Sequence, residues 1–466
     1  MNTLCQRFAT FLTIGLLVSA AEGREQPPAI GAAKPFSLPA KEEITLANHF
    51  KATLVPFGTV PKVTIVLTIA TGNIADGAST GLADIAAELL KEGSGEYDAA
   101  GAARRAADMG GTLSITAGLE ETTFEIDVLA EHTSEAISLI ADTVRHPHLP
   151  KSELPRLKAD LARASSVKRS TSQGLATEAY AKRLWGKHPY GKAFPTDTDI
   201  AAITDQDISH FVSSEFGAQR AHLYVAGMFD STIIQQAITS AFSDWQVGPA
   251  PRETHVEGSR LGQITFIDRP NATQTTLMFG LPVLAPNAPH FIDFAVVNTL
   301  FGGSLLSRLD QNLREDKGWT YGASSRITPY AAGITTWTLA TDVSTPDTAP
   351  AVQEIFKELA RLRSEPAAIS ELNSIQNYRA GTFVIGASSR SGIISQLAYL
   401  EQQHLPETWL TDYVTNVHAV TPEQARAAAT DQLTPEHMTL VVVGDLKLIK
   451  DPLLALPALQ TVRIAD

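Results

Sequence analysis

The 466-residue chain has one cysteine, Cys5. That scarcity excludes a disulfide framework, a thiolate zinc site built on Cys-x-x-Cys pairs, and most cysteine nucleophile schemes. Basic clusters are missing as well. Thirty-seven Lys and Arg stand against 50 Asp and Glu, a net charge of −13, so no cationic stripe is on offer to phosphates and nucleic acid is not an expected partner. Beyond the first two dozen residues no apolar run approaches the ~20 residues that a membrane-spanning helix requires. Core-forming material, by contrast, is plentiful. With 44% hydrophobic and 19% charged residues the chain is neither disordered nor fibrous, and its length suits two or three domains of roughly 150 residues.

The N-terminus differs from the rest. Arg7 leads into an apolar run over residues 8–21 and then small residues, with candidate cleavage points after Ala20, Ala21 or Gly23, the pattern of a secretory signal peptide over residues 1–23. Cys5 precedes the apolar run and would leave with it, so it is not placed for lipid attachment. Residues 24–40, with Pro27, Pro28, Pro35 and Pro39, read as an extended tether. The expectation is an exported, periplasmic protein.

An internal duplication organises the remainder. Thr204 precedes an amphipathic stretch and then an apolar strand ending at Gly227; Thr421 does the same ahead of Gly444, and each glycine lies 23 positions after its threonine. A strand over 122–129 followed by a helix burying Ala136, Ile137, Ile140 and Val144 is matched by a strand over 335–340 and a helix burying Val352, Ile355, Phe356 and Leu359. The strand over 63–69 is matched by 274–279. We therefore expect an α+β protein of two tandem homologous domains, 41–247 and 263–466, joined by a linker over 248–262 that holds Gly248, Pro249 and Pro251. Each domain should be a mostly antiparallel sheet packed against helices.

In the first domain, Thr80 and Gly81 open a helix with Leu82, Ile85, Ala86, Leu89 and Leu90 on one face. Asp84, Ala87, Glu88 and Lys91 fall on the other, and Gly93 reads as the stop. Accompanying pieces are the strand ending at Gly72, the turn His188-Pro189-Tyr190-Gly191, Phe301-Gly302-Gly303-Ser304 through Ser307-Arg308-Leu309, and Leu313-Arg314-Glu315-Asp316-Lys317-Gly318-Trp319-Thr320-Tyr321. On these the chain resembles the insulinase or pitrilysin metallopeptidases, especially their bacterial, processing-peptidase-like branch, over nearly its whole length past the leader. The resemblance implies that the two domains form half of a clamshell chamber.

Active members of that family carry His-x-x-Glu-His on the first helix: two imidazoles one turn apart hold zinc, and the glutamate is general base to the bound water. Laid on this helix, the motif falls on Asp84, Ala87 and Glu88. Alanine takes no proton, and carboxylates replace the nitrogens that favour zinc. The family's third ligand, a glutamate, would fall in residues 158–168, which offer Asp160 among Ala162, Ala164, Ser165 and Ser166. No metal or other cofactor is expected in this chain. Asp84 and Glu88 could share a hard cation only with several more oxygen ligands; a solvated face balanced by Lys91 is the simpler reading. His146 and His148 flank Pro147 in what reads as an exposed turn, and His188 in another turn.

The second domain keeps Arg314 and Tyr321, which in the family reach the zinc site across the chamber and contact substrate near the scissile carbonyl. A guanidinium and a phenol can donate hydrogen bonds to the oxygen on which charge develops. Gly302 and Gly303 permit close backbone approach and either line a peptide channel or form a cap and loop. Some two-gene relatives divide the labour, one subunit holding zinc and the other supplying the arginine and tyrosine. The resemblance thus implies a zinc-less subunit whose partners are a zinc-bearing paralogue and a peptide substrate, inactive alone. An inert scaffold or peptide-binding protein of the same fold is the alternative, and an enzyme using Asp84 and Glu88 with an unfamiliar metal is a third.

Overall fold

The computed structural model describes residues 36–252, 256, 258–259, 262–460 and 462–465. The expected leader, the tether as far as residue 35 and part of the linker lie outside the described residues.

Strands rich in Val, Ile, Thr and Phe build the first sheet. They are β1 (Glu42–Thr45), β2 (Lys51–Pro56), β3 (Lys62–Ile69), β6 (Ser114–Ala117), β7 (Thr122–Leu129) and β8 (Ala221–Gly227), with a small separate hairpin of β4 (Gly93–Ser94) and β5 (Tyr97–Asp98). In β7, Thr122, Phe124, Ile126 and Val128 point inward at every second position, the period of a half-covered strand. β3 is buried almost throughout, as a central strand with both faces covered must be. The order is β1-β2-β8-β3-β7-β6, antiparallel except for the β2–β8 pair.

The second sheet repeats this plan. β9 (Gln263–Asp268), β10 (Gln274–Val283), β11 (Thr320–Pro329), β12 (Thr335–Ser344), β13 (Thr439–Gly444) and β14 (Arg463–Ile464) lie in the order β11-β12-β10-β13-β9-β14. β10, β12, β11, β13 and β9 take the places of β3, β7, β6, β8 and β2, including the parallel pair. Only the outer edge strands differ: β1 runs antiparallel to its neighbour, β14 parallel. The expected α+β plan of two homologous, mainly antiparallel domains is what the chain adopts.

The helices that matter here are α1 (Leu82–Leu89), α2 (Thr133–Arg145), α3 (Leu154–Ser170), α4 (Ser172–Trp185) and α5 (Asp205–Glu215) in the first half. The second half has α6 (Phe291–Phe301), α7 (Thr348–Ser364), α8 (Ile369–Gly386), α9 (Arg390–Gln402) and α10 (Pro422–Gln432). Thr204 and Thr421 each cap their helix in a reciprocal box, with Asp207 and Gln424 reaching back, so two orphan N–H groups are satisfied at once. α1 ends at Leu89, short of the expected stop. Gly93, at φ +120°, belongs to the β4–β5 hairpin, where a side chain would strike the Tyr97 carbonyl. Phe356 is only partly buried, its ring edge-on to Phe279 at 5.9 Å.

The halves exchange helices. α4 packs on β13 and β10 of the second sheet, while α9 packs on β8 and β3 of the first. Ala176, Tyr180, Leu184 and Trp185 thereby share a core with Val441 and Val443, and Ile393, Ile394 and Leu397 share one with Val55, Val66 and Tyr224. At the start of the described chain Phe36 stands edge-on to Phe383 at 5.0 Å, with Leu38 beside it against Leu400 and Leu410. Among the described residues no helix is long and apolar enough to cross a membrane.

Candidate functional site

α1 begins at Gly81, held at φ +93°, and its N-terminus is capped from a distance. The Asp76 carboxylate accepts hydrogen bonds from the Gly81 and Ala83 N–H groups at 2.7 and 2.8 Å. Asp76 is buried, and burial pushes its carboxyl up to about 6, against the pull of those two N–H groups and of Asn73. Asn73 also donates a 2.7 Å bond to Asp84. Burial raises the Asp84 carboxyl too; the Asn73 bond and the charge of Lys168 on α3 oppose it, and Glu88 adds to it.

The face carrying Asp84 is therefore not the solvated surface its polarity suggests. α3 and α5 pack on α1, Ala87 is 3% exposed, Asp84 is half-buried, and Glu88 is exposed and pairs with Lys91 at 2.6 Å. These positions do not fit zinc. The central one offers a methyl group, Asp84 is bound by an amide with a lysine charge near it, and Glu88 is turned to Lys91. On α3, Asp160 is engaged by Arg156 and Arg163, Ala164 has no donor, and Ser165 is buried. Among the described residues no three His, Cys, Asp or Glu side chains gather closely enough to hold a metal ion.

The histidines serve turns. His148 Nε2 lies 2.8 Å from the Gly95 carbonyl, and the backbone around Pro147 bridges to Ser94 of the β4–β5 hairpin. The His188 ring accepts from the Tyr190 N–H at 3.3 Å and stands edge-on to the Tyr190 ring.

In the second half, residues 302–321 alternate between buried anchors, Ser307, Leu309 and Leu313 among them, and exposed side chains. Gly302 ends α6 and accepts a 2.8 Å bond from the Ser325 N–H of β11; a side chain there would meet Ser325 Oγ at 2.9 Å, and one on Gly303 would meet Asn298 Nδ2 at 2.7 Å. The close approach that these glycines allow is taken up by β11 and the end of α6. Leu305 and Leu306 follow, 73% and 62% exposed. A π-helical turn, Asp310–Asp316, carries Arg314, whose Nε is 3.5 Å from Glu315 Oε1. Gly318, at φ +67°, reverses the chain into β11, where Tyr321 is 92% exposed. Arg314 and Tyr321 are both exposed, and no hydrogen bond joins them.

The sequence reading missed a polar knot between the halves. Glu401 of α9 faces Lys51, His222 and Tyr224 of the first sheet, at the side of a cavity of about 400 Å³. Nothing in the spacing of these residues announces it, because the partners are brought together only by the helix exchange.

With this geometry in view, the comparisons with known proteins take on structural meaning. The family model described as Insulinase (Peptidase family M16) matches residues 58–196, and that described as Peptidase M16 inactive domain matches 202–379. The chain belongs to the insulinase family, peptidase family M16. Among its relatives, an uncharacterized zinc protease, YmxG, of Bacillus subtilis is 21% identical over 72% of this chain and 81% of its own. A protein of Helicobacter pylori named non-peptidase homolog YmxG is 23% identical over 62% of this chain and 67% of its own. The crystal structure of a peptidase M16 inactive domain from Pseudomonas fluorescens superposes with a TM-score of 0.80, at 23% identity, over 87% of this chain and 98% of that one. The fold is thus that of the family's inactive-domain proteins.

Proposed function

We propose that this chain is the zinc-less subunit of an exported, two-chain metallopeptidase, and that it supplies Arg314 and Tyr321 to a peptide held beside a zinc ion in a paralogous partner. The observation that carries the reading is the contrast between the two halves. The helix that would hold metal is closed by Ala87 and by the Asn73–Asp84 bond, whereas Arg314 and the nearly bare Tyr321 are exposed, as are Leu305 and Leu306 before them. A guanidinium and a phenol so presented can donate to a developing oxyanion once a second surface excludes water. By itself the chain hydrolyses no peptide in this reading.

The test is peptide hydrolysis by the chain alone, by a zinc-bearing paralogue alone and by the pair, repeated with Arg314→Ala and Tyr321→Phe. The expected result is activity of the pair only, falling by roughly 10²-fold per lost donor. A pair that keeps full activity with both residues replaced refutes the role in trans and favours an inert scaffold, in line with the name of the Helicobacter relative.

A further inference from the structure

A second cavity, of about 470 Å³, opens in the second half between α6, α8, α9 and β11. Its walls are Phe383, Tyr399, Trp409 and Tyr413 together with two arginines, Arg326 and Arg379. Neither Arg314 nor Tyr321 borders it. The rings form a connected shelf: Phe383 and Tyr413 are 4.3 Å apart, Tyr413 and Trp409 5.1 Å, Trp409 and Tyr399 5.4 Å.

The charge here runs against the rest of the molecule. In a chain of net charge −13, no Asp or Glu among the described residues borders this cavity. Among the described residues none makes an ion pair with Arg326 or Arg379, although most other arginines have a carboxylate in reach. Arg379 is held in place by a 3.0 Å bond from Nη1 to Thr299 Oγ1 and by the Tyr413 ring 5.7 Å from its Cζ. Its Nε is buried and has no acceptor. Arg326 adds a second, exposed guanidinium at the mouth.

We propose that this cavity is a binding site for a peptide carboxylate carried next to an aromatic side chain. The carboxylate meets the fixed guanidinium of Arg379, which presents its donors in a planar fork. The neighbouring ring lies on the Trp409–Tyr413 shelf, where offset or edge contacts are favourable. The carboxylate can be a free C-terminus or an internal acidic side chain; both offer the same two oxygens. This site stands apart from the reading of Arg314 and Tyr321, and either can fail alone.

The experiment is calorimetric titration of the full-length purified chain with three probes: acetyl-Gly-Gly-Phe with a free carboxylate, the same peptide as its amide, and acetyl-Asp-Phe-amide. At least one carboxylate probe should bind tenfold or more tightly than the neutral amide, and which one binds identifies the source. Arg379→Gln should abolish that preference, and Arg326→Gln should weaken it several-fold. Arg314→Gln should leave it unchanged. Among the described residues the Arg326 side chain has no hydrogen bond or ion pair, so its variant carries the test should Arg379→Gln lose its fold. Equal binding of acid and amide, no binding of any probe, or a preference that survives a folded Arg379→Gln or, failing that, Arg326→Gln overturns the proposal.

Discussion

Tyr224 and Glu401 belong to different halves of the chain, yet the Tyr224 hydroxyl donates a 2.6 Å hydrogen bond to Glu401 Oε2. Lys51 Nζ reaches the other carboxylate oxygen at 2.8 Å, and His222 Nδ1 faces Oε2. The line continues from His222 Nε2 to Thr53 Oγ1 at 2.8 Å, and the His222 ring stacks on Tyr224 with centroids 4.1 Å apart. These groups fasten the end of α9 to β2 and β8 of the first sheet.

Burial alone would raise the Glu401 carboxyl, but the bond and charge of His222, then Lys51 and Tyr224, outweigh it and hold the group far below the usual carboxylate range. An acid so depressed stabilises the folded state above its unfolded value of about 4.3 and loses that contribution as the pH falls further. Since the side chain is 37% exposed, solvent screening limits the effect. Glu401→Gln should cost about 1–2 kcal/mol at neutral pH. Urea unfolding at pH 7 and pH 3 checks this, and the deficit should shrink at the lower pH.

Asp76 has the opposite sign. Its carboxyl is raised to about 6, chiefly by burial, so its contribution to stability is complete below about pH 4 and declines as the pH rises through 6. The decline should amount to roughly 2–3 kcal/mol. Asp76→Asn, which can still accept one N–H at the start of α1, should flatten that slope. Carbon-13 titration of the carboxyl together with melting temperature against pH would reveal it.

The Tyr180 hydroxyl is buried against the second sheet with no hydrogen-bond partner. Tyr180→Phe should stabilise the protein by about 1 kcal/mol, because the unmet polar group disappears. Gly280→Ala should do the reverse. Its methyl group would collide with the Tyr180 ring, and such overpacking costs about 1–3 kcal/mol. Paired thermal melts compare the two.

Arg314→Ala and Tyr321→Phe should each leave the melting temperature of the isolated chain nearly unchanged, within about 0.5 kcal/mol of stability, because both side chains point into water. A large loss would mean that these residues hold the fold rather than serve a second surface.

The duplication was readable because it rests on local signals: a threonine cap, a helical period and an apolar strand recurring at equal spacing, as at Thr204 to Gly227 and Thr421 to Gly444. That Asp84, Ala87 and Glu88, where the resemblance lays the zinc motif, offer no imidazole was equally plain, being a matter of residue type. What covers those positions was not. Asp84 looks like a surface acid until α3, some seventy residues later, is laid over it, and the cap on α1 comes from Asp76, outside the helix. Arg379 gave no sign either. Its importance lies in what does not surround it, and charge counts along the chain do not convey which carboxylates stay away.

The exchange of α4 and α9 makes the duplicated units mutually dependent. Each half keeps a core of its own on one face of its sheet and lends a helix to cover the other face of its neighbour's, so loosening one half exposes apolar surface on both. Peptide-bond cleavage in the 248–262 connection would then cut the chain without parting the molecule.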